Sequence, residues 1–195
     1  MALVTIACTA MIYASLRTIR QWHNNLVVPV YVSLGLATGA LLLSMLTSVF
    51  GYNARHPEFM TIALLALALI IKLAYWHRIE NEDKTWTIEQ ATGLKSSTSV
   101  NQIEAPHFQD NFVQREMGYK VARKHGRKLK RYTIALAFIV PMMLLGLDII
   151  IDNQFSIALT ILSVASAAIG VVIERWLFFA QAQHVVTLFY GAQRA

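Results

Sequence analysis

The stretch GYKVARKHGRKLKR, residues 118–131, is the most cationic in the chain, and it ends where an uninterrupted apolar run begins at Tyr132. It closes a polar segment, 77–131, which has a pair of apolar runs on either side: 26–50 and 59–76 before it, 132–151 and 155–176 after it. A helix needs roughly 17 to 25 apolar residues to cross a hydrocarbon core, and each of these runs is long enough. The chain therefore reads as an all-α integral membrane protein with four complete transmembrane helices in two hairpins. Only the polar segment is long and polar enough to stand wholly outside a bilayer, so a soluble partner would dock there.

Working outward, the polar segment has two characters. Its first half (NEDKTWTIEQATGLKSSTSVNQ, 81–102) mixes charges with Ser, Thr and Asn without helical periodicity and reads as a surface loop. The basic end is either a contact for anionic headgroups beside a membrane or a docking face for an acidic partner, with Lys120, Arg123, Lys124 and Arg127 as its cations.

At the N-terminus, residues 2–16 (ALVTIACTAMIYASL) are apolar but short for a span. This predicts a shortened transmembrane helix, and a signal peptide is the competing reading because its apolar core is about this long. No basic residue precedes the run, and Arg17 follows where small residues would mark cleavage. A polar link, RTIRQWHNN (17–25), leads into the first complete span, where Pro29 sits in the first turn and Gly35 and Gly39 make a GxxxG spacing that allows close helix approach. Lys72 is the one charge inside the second span and lies near its end, so its stem is expected to snorkel to the headgroups. Pro141 is expected to kink the third span. In the last span Ser163, Ser166, Ala167 and Gly170 form a small-residue packing face. The whole of 1–195 reads as one helical membrane domain.

Composition agrees, with 56% hydrophobic and 14% charged residues against about 25% charged in soluble domains. The net charge of +6 lies in segments flanking the spans, where cations report topology rather than nucleic-acid binding. A lone Cys8 excludes an internal disulfide or a self-supplied iron-sulfur cluster. Arg17, Arg20, every Lys and Arg of 77–131 and Arg194 fall on one side, and Arg55, Glu58, Asp148 and Asp152 on the other. By the positive-inside rule the first side, with the C-terminus, is cytoplasmic.

No nucleotide loop, metal motif or activated nucleophile is present. Embedded haem needs histidines on facing helices, and His23, His56, His77, His107, His125 and His184 all lie in loops or at helix ends. The chain is therefore expected to bind no haem and no metal of its own. What does collect at the cytoplasmic rim is Arg20, Trp22 and His23, then Trp76, His77 and Arg78, then Glu174, Arg175, Trp176 and His184. An aromatic belt with snorkelling cations accounts for such a rim. So does a quinone pocket, in which His or Glu accepts protons from quinol between flat aromatic walls.

The segments CTAMIYASLRTIRQWHNNLVVPVYVSLGLATGA (8–40) and ERWLFFAQAQHVVTLFYG (174–191) resemble the membrane anchor subunit of the dimethyl sulfoxide reductase family. The resemblance covers most of the chain and corresponds to the C-terminal half of an eight-helix anchor. It implies a non-catalytic or quinol-reactive subunit in the bacterial inner membrane, working in anaerobic electron transport. Partners would be an iron-sulfur subunit and a molybdopterin catalytic subunit, with menaquinol or another quinol as exchangeable substrate. Matching positions with suitable chemistry are Trp22, His23, Glu174, Arg175 and Trp176, to which the rim adds His77. His23 and Glu174 would handle protons, the tryptophans would form walls, and Arg20 and Arg175 would alternatively hold the iron-sulfur subunit. A purely structural anchor and a small transporter remain as the other readings.

Overall fold

The computed structural model describes residues 1–52, 55–81, 87–93, 104, 120–151, 156–183, 185 and 188. Their regular elements are all helical: α1 (Ala2–Ala14), α2 (Val27–Val49), α3 (Arg55–Glu80), α4 (Ile88–Thr92), α5 (Lys120–Thr133), a π-helical segment (Ile134–Ile139), α6 (Val140–Ile151) and α7 (Ser156–Ala180). Among the described residues, four helical stretches are long and apolar enough to cross a membrane, namely Val27–Val49, His56–Glu80, Lys124–Ile151 and Ser156–Ala180. Many of their large apolar side chains face outward, among them Ile70, Met143, Ile150 and Val172. In water this would be unfavourable, whereas in lipid an apolar exterior carries no penalty.

Two antiparallel hairpins make the bundle. One pairs α2 with α3, the other α6 with α7, and α7 also packs along α2 while α3 packs along α6. The short α1 lies against α2. At Gly51 the backbone turns with φ of +72°, and the amides of Gly51 and Tyr52 reach back to the carbonyls of Ser48 (3.2 Å) and Thr47 (2.9 Å). That is the Schellman arrangement, in which a left-handed residue closes the last helical turn. Between α2 and α3 the buried hydroxyls of Ser44 and Thr61 meet at 2.9 Å. Across the second hairpin the Ser156 hydroxyl donates to Asp148 at 2.8 Å.

Three elements differ from the sequence reading. α3 runs to Glu80, because HRIE (77–80) continues the helix beyond the apolar run. The basic stretch is helical too, and α5 leads directly into the third span. Within the first half of the polar segment, Ile88–Thr92 forms a short helix, while most of that half lies outside the described residues.

Pro141 acts one turn before its own position. Here the helix widens over Ile134–Ile139, and the Val140 amide bonds the Ala135 carbonyl, five residues back. In that register a residue at 141 would donate to Leu136, and proline has no amide hydrogen to give. The Ser166 hydroxyl of α7 takes its place, donating to the Leu136 carbonyl at 2.9 Å. Ser166→Ala is expected to cost about 0.6 kcal/mol, the usual worth of an interhelical hydrogen bond in a membrane, read from denaturation in detergent micelles. A cost indistinguishable from zero would mean that water or relaxation satisfies that carbonyl instead.

The small-residue face of α7 is a true contact. Ser163, Ala167 and Gly170 are buried, and a Cβ on Gly170 would lie 2.6 Å from Ala137 Cα. The GxxxG pair of α2 is only half used. A Cβ on Gly35 would meet Ile6 Cδ1 of α1 at 2.8 Å, while around Gly39 there is nothing within 4 Å.

Candidate functional site

The residue that organises the site is Lys72, and it does not snorkel. Its side chain is 1% exposed, and its ammonium donates to Oε1 of Glu174, which is itself fully buried. The other carboxylate oxygen, Oε2, accepts from Nε of Arg175. A long flexible stem can reach headgroups or a buried anion, and with a carboxylate held inside the bundle the ion pair wins. Burying a lone ammonium in such surroundings costs several kcal/mol, which only a well-placed opposite charge offsets.

Aromatic rings surround the three charges. Lys72 Nζ sits 4.5 Å from the Tyr75 ring centre and 5.0 Å from that of Trp76. The Arg175 guanidinium lies 4.2 Å over Tyr31 and 5.0 Å from Phe178. Ring faces carry negative potential, so they disperse the one positive charge left over when two cations share one carboxylate. Phe178 in turn stacks on Trp22 at 5.7 Å and 14°, and Tyr13 of α1 stands edge-on to both. Four helices or their flanks therefore contribute: α1, α2, α3 and α7.

The link between α1 and α2 lies across the top of this cluster. The Trp22 indole N–H donates to the Phe178 carbonyl at 3.0 Å, the Tyr75 hydroxyl donates to the Gln21 carbonyl at 3.0 Å, and the Gln183 amide donates to Gln21 Oε1 at 3.1 Å. His23 is exposed, with Nδ1 2.7 Å from the Ala14 carbonyl. A carbonyl can only accept, so Nδ1 carries a hydrogen and Nε2 of the neutral ring is left as the base.

The rim residues separate into distinct places. Trp22, Glu174 and Arg175 share the buried cluster. His77 is exposed and meets Asn81, whose amide nitrogen is 2.9 Å from Nε2. Trp176 is 41% exposed and faces α5 in a groove of its own. Arg20 is half-buried in the link. Lys124 and Arg127 are exposed on α5, the side chains of Lys120 and Arg123 lie outside the described residues, and so does His184. Glu174 has both oxygens engaged by cations, which leaves it placed as an internal counter-ion. The aromatic lining of Tyr13, Tyr31, Tyr75 and Phe178 carried no distinguishing signal, since each reads as an ordinary apolar position of its span.

One chemical capacity stands out. Nη2 of Arg175 is buried and has no hydrogen-bond acceptor among the described residues, although it lies beside a flat ring. It is a free donor for a carbonyl or anionic oxygen that reaches it. No group of three or more His, Cys, Asp or Glu able to hold a metal occurs among the described residues.

Fold and site together define a multi-pass helical membrane protein with an ion cluster buried near one end of its bundle. The chain is similar to a subunit of the sulfite dehydrogenase of Allochromatium vinosum, with 29% identity over 191 residues, which are 97% of this chain and 57% of that protein. The chain thus spans little more than half the length of this relative. No family model matches the chain, and no solved structure does.

Proposed function

We propose that this chain is a membrane subunit of a molybdopterin-dependent oxidoreductase complex of the dimethyl sulfoxide reductase type. It anchors an iron-sulfur subunit and exchanges electrons with quinol. The observation that carries this reading is the similarity along nearly the whole chain to a subunit of a sulfite dehydrogenase. Partner subunits on the cytoplasmic side of an inner membrane would meet Lys124 and Arg127, which are exposed on α5, and those subunits would carry electrons between the quinone and the molybdopterin centre.

Oxidation of a quinol would release two electrons, taken one after the other by the iron-sulfur subunit, and two protons. Arg175 Nη2 would hold one ring oxygen, and His23 Nε2 would take the two protons in turn, passing each to water before accepting the next. Glu174 fixes Arg175 and does not touch the headgroup. Support for these roles is the unsatisfied donor of Arg175 beside an aromatic face and the free base nitrogen of His23.

Binding of a fluorescent quinol analogue to the purified complex tests this. Arg175→Gln is expected to weaken quenching by about tenfold or more, the worth of one hydrogen bond to a charged donor. His23→Ala is expected to leave binding nearly intact while slowing quinol oxidation about 10²-fold or more, as loss of a general base does. Unchanged binding and turnover in both variants would leave a structural anchor without quinone chemistry.

A further inference from the structure

α5 carries cations on more than one side. Lys124, Arg127 and Arg131 are exposed along one stripe, while His125, Lys128, Leu129 and Tyr132 follow the i, i+3, i+4, i+7 spacing of another. This second stripe and Trp176 of α7 line a groove of about 300 Å³. On the core side of α5, Gly126 is buried against Gln181, and Lys130 reaches across to Glu80 at 2.5 Å. The groove is therefore set apart from both the buried ion cluster and the contact between α5 and α3.

We propose that this groove is a binding site for the headgroup of an anionic phospholipid. Lys128 and His125 are exposed, and neither is paired with a carboxylate among the described residues. The Lys128 ammonium stands 5.9 Å from the Tyr132 ring centre, which positions it without neutralising it. Trp176 of α7 forms the wall facing them. Lys128 and His125 thus border a groove whose walls are mostly apolar, which suits a lipid whose anionic phosphodiester sits at the rim beside the cations and whose hydrocarbon lies against the walls.

Depth and continuity point to a lipid. Lys128 and Tyr132 stand where the basic helix passes into the apolar span Lys124–Ile151, and Trp and Tyr at such a boundary sit at headgroup level. Below Trp176 on the same face of α7 come Val172 and Ile169, 68% and 56% exposed. An acyl chain hanging from a headgroup in the groove would lie along these two side chains. Free phosphate would use the donors but leave that strip unused.

The test uses the full chain in mixed micelles, with tryptophan emission quenched by brominated phosphatidylglycerol or brominated phosphatidylcholine. Phosphatidylglycerol is expected to half-saturate quenching at about a fivefold lower mole fraction, the effect of one cation near an anionic headgroup. Lys128→Gln is expected to abolish most of that preference and Trp176→Phe to remove the quenched emission. Arg131→Gln, a cation outside the groove, is expected to leave the preference in place. Equal quenching by the two lipids, equal losses in Lys128→Gln and Arg131→Gln, or full displacement by inorganic phosphate would each overturn the proposal. Because these side chains are exposed, far-UV circular dichroism is expected to match the wild type. Native mass spectrometry of retained phosphatidylglycerol gives an independent count, expected to fall in Lys128→Gln, and an unchanged count would also overturn it.

Discussion

Glu174→Ala is expected to be the most damaging single substitution in the bundle, lowering stability in detergent by about 3–5 kcal/mol. It leaves Lys72 and Arg175 facing each other in the interior with no carboxylate between them. Removing one member of a buried ion network costs far more than the network is worth as a whole, because the remaining charges lose their only compensation. Lys72→Met should be milder on its own, since Glu174 keeps Arg175 and an apolar stem of similar length fills the space. Combining the two, Lys72→Met with Glu174→Ala, is expected to recover much of the loss of Glu174→Ala, because only Arg175 is then left without its counter-charge. A double-mutant cycle on denaturation midpoints reads the coupling directly. A loss below 1 kcal/mol in Glu174→Ala, or simple additivity in the cycle, would mean that the ion pair is solvated when the protein is in a membrane.

For Gly170→Ala the expected loss is about 1–3 kcal/mol, the range for forcing an extra carbon into a packed interface. The added methyl would lie 2.6 Å from Ala137 Cα and 2.7 Å from its Cβ. Backbone cannot rotate aside as a side-chain tip can, so α7 must move away from the π segment. That movement would also lengthen the Ser166 hydroxyl bond to Leu136, so Gly170→Ala and Ser166→Ala should not be additive. Gly39→Ala is the control: nothing lies within 4 Å of the added carbon, and stability should stay within about 0.5 kcal/mol, as for changes away from contacts. Comparable losses at Gly170 and Gly39 would refute the close approach.

The membrane class and the two hairpins were legible in the sequence because hydrophobic length is a direct physical requirement of the bilayer. The charged cluster was only half legible. Glu174 and Arg175 stood out as charges beside Trp176, but Lys72 read as a snorkelling residue, since nothing local shows what the facing helix offers. Its partner is 102 residues away. One clue was present: Lys72 and Glu174 lie about two helical turns from the ends of α3 and α7 that share a side of the bundle. An isolated cation and an isolated anion at matched depth make a candidate pair. Trp22 and Trp176 read alike as rim aromatics, yet one is 8% exposed within the cluster and the other 41% exposed in the groove beside α5. Which way a rim side chain turns depends on neighbouring helices, and a single sequence does not encode that locally.

Thr133, Ala137, Pro141 and Leu145 are all buried, and they recur every fourth residue. On an ordinary helix each such step drifts about 40° around the axis, and over the full run the inward-facing row would wind off its neighbour. The broadened turn at Ile134–Ile139 takes up that drift. The third span therefore keeps a single face toward α7 from the basic end down to Asp148 and Ser156. In effect the missing proline hydrogen sets the phase of the helix, and a one-residue deletion there would swing the far end away from its partner.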